Sequence, residues 1–279
     1  MRKTAASPRH SPAFLALTVL GVTCAVSTSV YGEPQPTKAP VAQKPAQPPQ
    51  SVPSPIPSNS KQMLLVRAAH WNAASGSLQR FERNSADGSW SAVGEVIPVN
   101  LGRNGMAWGR GLHDPQKGIT KREGDRRAPA GVYELTTAFG YAAALPQNAH
   151  GFPYLQVDSD TVCVEEVRSK DYNQVIPNAD PGKGWEKRSV MLRPDGLFRW
   201  GVVVRQNAPE PRPGAGSCVF LHVWRGPHEP TAGCTSLAPD RIELLLRWLE
   251  PNARPVLVQL PEAAYAKLRE PWQLPGPTR

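Results

Sequence analysis

The chain has 279 residues and a formal net charge of +9. That length accommodates one domain of ordinary size with terminal segments to spare. The Lys and Arg residues are scattered and form no nucleic-acid motif, which argues against nucleic acid and leaves anionic surfaces such as wall polymer or lipid headgroups as counterparts of the charge.

Residues 1–32 read as a secretory signal peptide. Arg2, Lys3 and Arg9 precede an apolar run over 13–26, too short for a comfortable membrane span, and Val30-Tyr31-Gly32 supplies small-residue cleavage chemistry. An uncleaved anchor and a lipoprotein attached through Cys24 are the alternatives. Residues 33–61 alternate Pro with Gln, Ser, Ala and Lys, with almost nothing apolar to bury, and read as a disordered, semi-extended linker. Residues 62–279 are left for one β-rich domain in an exported protein of the periplasm or cell wall.

Within that domain, Met63-Leu64-Leu65-Val66-Arg67 opens a strand, and 77–83 and 89–99 follow across the turn chemistry of 84–88. Glycine around Trp108 makes 102–111 a loop or bulged strand. Further strands are expected over 132–137, 189–192, 200–205 and 217–224. Helical spacing appears only late, where Ile242, Leu245, Leu246 and Leu249 share one face behind Pro239 and Asp240. A final strand over 255–260 and a short helix over 261–268 complete the order. Many short strands and one or two edge helices imply a mainly β fold, a β-sandwich or partly closed barrel.

The chemistry concentrates in Phe220-Leu221-His222-Val223-Trp224 and in Thr231-Ala232-Gly233-Cys234-Thr235. A catalytic cysteine needs a base, exposure and local positive potential. His222, at the end of a stiff strand, supplies the base. The turn, with a helix expected close behind it, supplies backbone N–H groups of Gly233, Cys234 and Thr235 to a developing oxyanion. A buried structural cysteine beside a core histidine is the plainer alternative. His228 lies in a Pro/Gly loop and reads as exposed. If His222 is the base, activity should titrate with a group in the histidine range. Trp224 and Arg225 follow the strand end as cleft-lining, substrate-binding candidates, and Thr231 either braces the loop or meets the substrate. No metal or other cofactor is expected. Cys218 and His222 on one strand stand about 13 Å apart at roughly 3.3 Å per residue, which forbids a shared zinc ion.

These residues resemble the catalytic block of the YkuD-type L,D-transpeptidases, in which a strand-borne His precedes Ser/Thr-x-Gly-Cys. Ala232 and Ser236 stand where the commoner version has His and Arg, and the Thr-Ala-Gly-Cys form is similar to one branch of the family. Lys121-Arg122-Glu123-Gly124-Asp125 with Ala128-Pro129-Ala130-Gly131-Val132-Tyr133, then Asp171-Tyr172-Asn173 and Trp200–Val204, extend the likeness. The resemblance implies the family's β fold and a peptidoglycan transpeptidase acting on stem peptides through a Cys234 thioester; from the short apolar run, no stable membrane span is expected after signal removal. An L,D-carboxypeptidase using water at the same site, and a catalytically idle wall-binding domain, are the competing functions. With Cys234 claimed by the motif, the remaining cysteines of the exported part, Cys163 and Cys218, are expected to pair as a disulfide.

Overall fold

The computed structural model describes residues 53–276 apart from 86 and 87, together with Gly21, Ala25, Ser27 and Gly32. The chain divides into Met1–Pro48 and Pro49–Arg279, and the second unit carries the fold. The readings of a signal, of Cys24 and of most of the linker fall outside the described residues. No helix among the described residues is long and apolar enough to cross a membrane.

The architecture is mainly β, 33 % strand against 10 % helix. The strands in chain order are β1 (Gln62–Ala68), β2 (Ser75–Glu82), β3 (Ser91–Asn100), β4 (Met106–Trp108), β5 (Ala128–Gly140), β6 (Tyr154–Gln156), β7 (Val162–Val164), β8 (Val175–Ile176), β9 (Arg188–Val190), β10 (Trp200–Val204), β11 (Phe220–Val223) and β12 (Thr235–Leu237). Helix α1 (Pro239–Trp248), β13 (Val256–Pro261) and α2 (Glu262–Leu268) follow. Eight of them close a ring in the order β10-β11-β12-β3-β2-β1-β13-β5, because β5 pairs with β10 as well as with β13. Closure removes the exposed sheet edges that an open sandwich would leave, so the expected partly closed barrel is a closed one. β7, β8 and β9 form a separate small sheet.

Alternation along β11 decides which residues serve the core and which serve the outer wall. Leu221 and Val223 point inward with Leu78, Leu101, Val202 and Leu237 into the main core, where α1 adds Ile242, Leu245 and Leu246. Phe220 points outward into a second cluster with Phe139, Leu197, Phe198, Met191 and the sulfur-bearing residues Cys163, Cys218 and Cys234. The excursion between β6 and β10, including the small sheet, therefore roofs one stretch of the barrel wall.

Several boundaries differ from the sequence reading. The strand expected over 217–224 begins only at Phe220, since Cys218 has φ 55°, in the left-handed region. The Pro-rich stretch reaches the domain before residue 62: Ile56 is buried in the core, and the Ser54 hydroxyl donates to the Trp272 carbonyl at 2.7 Å. A three-residue strand, β12, separates Cys234 from α1. The helix expected close behind the turn begins at Pro239, where its first turn was placed.

The closing seam yields a test. Gly201 pairs with His222 across β10–β11, and a Cβ there would stand 2.3 Å from the Phe139 ring and 2.8 Å from the Leu221 carbonyl oxygen. Gly201→Val should lower stability by about 1–3 kcal/mol through overpacking. A urea midpoint unchanged from wild type would contradict this packing of the seam.

Candidate active site

β11 and β12 run parallel, with Leu221 opposite Thr235, His222 opposite Ser236 and Val223 opposite Leu237. Partners in register share a face, so His222 and Ser236 point outward together, and Cys234, two residues before Ser236, falls on the same side. The Phe220 N–H reaches the Cys234 sulfur at 3.4 Å, which places the thiol beside the start of β11. His222 is buried with its ring against Phe198, centroids 5.3 Å apart.

The imidazole is fixed by the backbone. Its Nδ1 lies 2.8 Å from the Val223 carbonyl oxygen. A carbonyl only accepts, so Nδ1 carries the proton and Nε2 is left as the basic nitrogen. The orienting third member, which sequence could not reveal, is thus a main-chain carbonyl. Burial lowers the pKa of His222 to about 4, and Arg193 opposes its protonation further. Burial likewise pushes the Cys234 thiol up to about 11. At neutral pH the site holds a neutral thiol and a neutral imidazole, not an ion pair. This corrects the expected titration in the ordinary histidine range: a buried imidazole keeps its basic form to far lower pH.

In this resting arrangement the thiol donates to the Cys218 carbonyl at 3.6 Å. Among the described residues, its hydrogen bonds are with the backbone of Phe220 and Cys218 and not with His222. Cys218 is itself tightly held. Its sulfur is bonded to Cys163, with Cα atoms 6.0 Å apart, and its N–H donates to Asn173 Oδ1 at 2.9 Å. Among the described residues, Cys234 is the free cysteine. The strand-length argument against zinc lapses, because Cys218 lies outside β11; its sulfur is instead taken up in the disulfide and is no thiolate ligand.

The Thr231–Cys234 turn is braced by one hydroxyl. Thr231 Oγ1 donates to the Cys234 carbonyl at 2.6 Å and accepts from the Gly233 N–H at 3.0 Å. Thr231 is therefore turned into the loop, where it braces the turn. The same bonds occupy Gly233, and Thr235 stands in the β11–β12 ladder with its side chain turned inward to Gln259. Of the three N–H groups expected to face an oxyanion, that of Cys234 alone has no partner among the described residues. Gly233 holds φ 147° with its missing Cβ 3.1 Å from the Arg127 carbonyl oxygen, so a side chain there would meet both strain and contact.

Trp224 is partly buried, its N–H given to the Leu237 carbonyl. Arg225 is exposed and reaches Asp195 Oδ2 at 3.1 Å. His228 is exposed in its loop. Sequence reasoning missed the segment that covers His222. Arg193 grips Asp195 with two bonds, 2.9 and 2.6 Å, and its guanidinium lies over Phe198 at 5.1 Å. That two-pronged bond holds the Asp195 carboxyl below its ordinary pKa. Arg193-Pro194-Asp195-Gly196 carried only a turn signal, with no period to show which wall it would cover.

The arrangement offers a sulfur nucleophile, an oriented base and one free backbone donor beside the sulfur, the elements of acyl transfer. Comparison of the chain with protein-family models, with curated proteins and with solved structures finds no match.

The neutral pair has a measurable consequence. Alkylation of native Cys234 by iodoacetamide should be slow at neutral pH and climb about tenfold per pH unit toward a midpoint near 11. Any reaction that needs the neutral imidazole should instead be level at neutral and mildly acid pH and fall only as His222 protonates toward about 4. An alkylation midpoint at pH 7 or below would mean a resting ion pair and contradict this account.

Proposed function

We propose that the protein is an exported peptidoglycan L,D-transpeptidase that joins stem peptides through a thioester on Cys234. The observation that carries this reading is the placement of Cys234 and His222 on one outward face of neighbouring strands, with the imidazole tied at Nδ1 to the Val223 carbonyl. The likeness of the Thr231–Cys234 turn and its strand-borne histidine to the YkuD-type block supplies the substrate class.

The reaction begins when substrate draws the thiol away from the Cys218 carbonyl. His222 Nε2 takes the sulfur proton as Sγ attacks the carbonyl carbon of the stem-peptide bond beside a D-residue. Negative charge moves to the carbonyl oxygen, which the free Cys234 N–H stabilises. Collapse breaks the C–N bond, and the imidazolium returns its proton to the departing amine. The amine of a second stem peptide then attacks the thioester carbonyl and His222 Nε2 accepts its proton; the C–S bond breaks, and the imidazolium returns that proton to the departing Cys234 sulfur. Because thiol and imidazole are both neutral at rest, proton transfer is coupled to attack and does not precede it.

Incubation of purified protein with disaccharide-tetrapeptides tests the reading. Cross-linked dimers are expected; trimmed monomers alone would make it a carboxypeptidase, and unchanged substrate would leave a wall-binding domain. Cys234→Ser should abolish turnover with thermal unfolding nearly unchanged, since the sulfur reacts and contributes little packing. His222→Ala should lose about two to four orders of magnitude in acylation, and His228→Ala should cost little. Normal acylation by His222→Ala would require another base.

A further inference from the structure

Lys121 lies beneath the Gly233–Cys234 turn, and it is 6 % exposed. A Cβ at Gly216 would stand 3.1 Å from its Cγ, and a Cβ at Gly233 would stand 3.8 Å from its Nζ. The side chain thus threads between two glycines of different segments, both at positive φ, 91° and 147°. Nζ donates to Asp125 Oδ1 at 2.5 Å and to the Arg122 carbonyl at 2.9 Å. Asp125 also accepts from the backbone N–H groups of Arg122 and Arg127, so the anchor is itself fixed. Apolar side chains of similar volume could hold such a loop without the desolvation cost of an ion pair. A buried cation placed under a nucleophile's turn has an electrostatic use that packing alone does not supply.

We infer that Lys121 is the charge that makes Cys234 usable: its ammonium, anchored by Asp125 against the turn, stabilises the sulfur anion and the oxyanion that follows. This rests on Cys234 being the nucleophile of the proposed reaction. The proton passes from Sγ to His222 Nε2, so one negative and one positive charge appear together, and Lys121 acts on the negative one. Two other charged groups bear on the thiol, Arg193 and Glu165. Both cations are paired, Arg193 with Asp195 and Lys121 with Asp125, but Arg193 is one-third exposed and screened by water, whereas Lys121 is 6 % exposed. Glu165, which accepts from the Ser189 hydroxyl, opposes the anion. Among these charges Lys121 has the largest effect on the thiol, and it works against the rise that burial causes. The leading charges on His222 are Arg193 and Asp195, so the ammonium favours the thiolate without a matching penalty on the imidazolium. Lys121 touches no reacting atom and acts through the field at Cys234.

The pH dependence of iodoacetamide alkylation at Cys234 tests this, read in the full-length protein by mass spectrometry. Lys121→Met should displace the curve to higher pH by about one unit, a tenfold slower reaction at fixed pH. Asp125→Asn, which leaves the ammonium without its counter-charge, should displace it to lower pH, and Lys121→Arg should stay near wild type. A merely structural pair would move Lys121→Met and Asp125→Asn in the same direction. Same-direction shifts, or no shift in either, would overturn the inference, and Asp125→Asn alone decides it should Lys121→Met not fold. The reagent needs no stem peptide, so opposite shifts in a protein that leaves disaccharide-tetrapeptides unchanged would sink the substrate reading and not this one.

Discussion

The parallel pairing of β11 with β12 is the constraint on which the rest of the site depends. It joins two segments that the chain separates by an eleven-residue loop and turn, and its register fixes which residues face outward together. A slip by one residue would turn His222 into the barrel and bring Leu221 or Val223 to the thiol, exchanging a buried apolar set for a polar one. The inward residues Leu221, Val223 and Leu237 make that slip unfavourable, because each is fully buried in the main core. Packing that stabilises the barrel therefore also sets where His222 stands.

Burial has opposite consequences for the two halves of the site. It keeps His222 neutral and able to accept a proton, and it keeps Cys234 protonated and unreactive. The surrounding hydrogen bonds extend that restraint. The thiol is held by the Cys218 carbonyl, and Cys218 is in turn held by its disulfide and by Asn173. Tyr172 and Ser217 both donate to Glu123 Oε2, at 2.5 and 2.7 Å, which ties the same loop to the Lys121–Asp125 segment. These bonds hold the thiol and the segments around it in one fixed arrangement.

Much of this was legible in the sequence, and the reasons divide cleanly. The long strands announced themselves through apolar content and flanking turns, and α1 through the spacing of Ile242, Leu245 and Leu246. Cys234 and His222 stood out because a Gly-Cys turn after a strand-borne histidine is chemically specific. The motif fragments Lys121–Asp125 and Asp171–Asn173 were visible as letters, but their roles were not, since those depend on contacts across 45 residues or more. Short strands such as β7 and β12, three residues each, are too brief to show a period. Closure of the barrel was hidden for a further reason. It rests on β5 being long enough, at 13 residues, to pair with β13 along one part and β10 along another.

The central claim is that Cys234 carries the acyl group of a stem peptide, and intact-mass measurement tests it most directly. After brief mixing with a disaccharide-tetrapeptide and acid quenching, the protein should gain the mass of the substrate less its terminal D-residue. Peptide mapping should place that mass on the fragment containing Cys234, and hydroxylamine should remove it as it does a thioester. No adduct on a protein that nonetheless turns the substrate over, or an adduct on any other residue, would contradict the account.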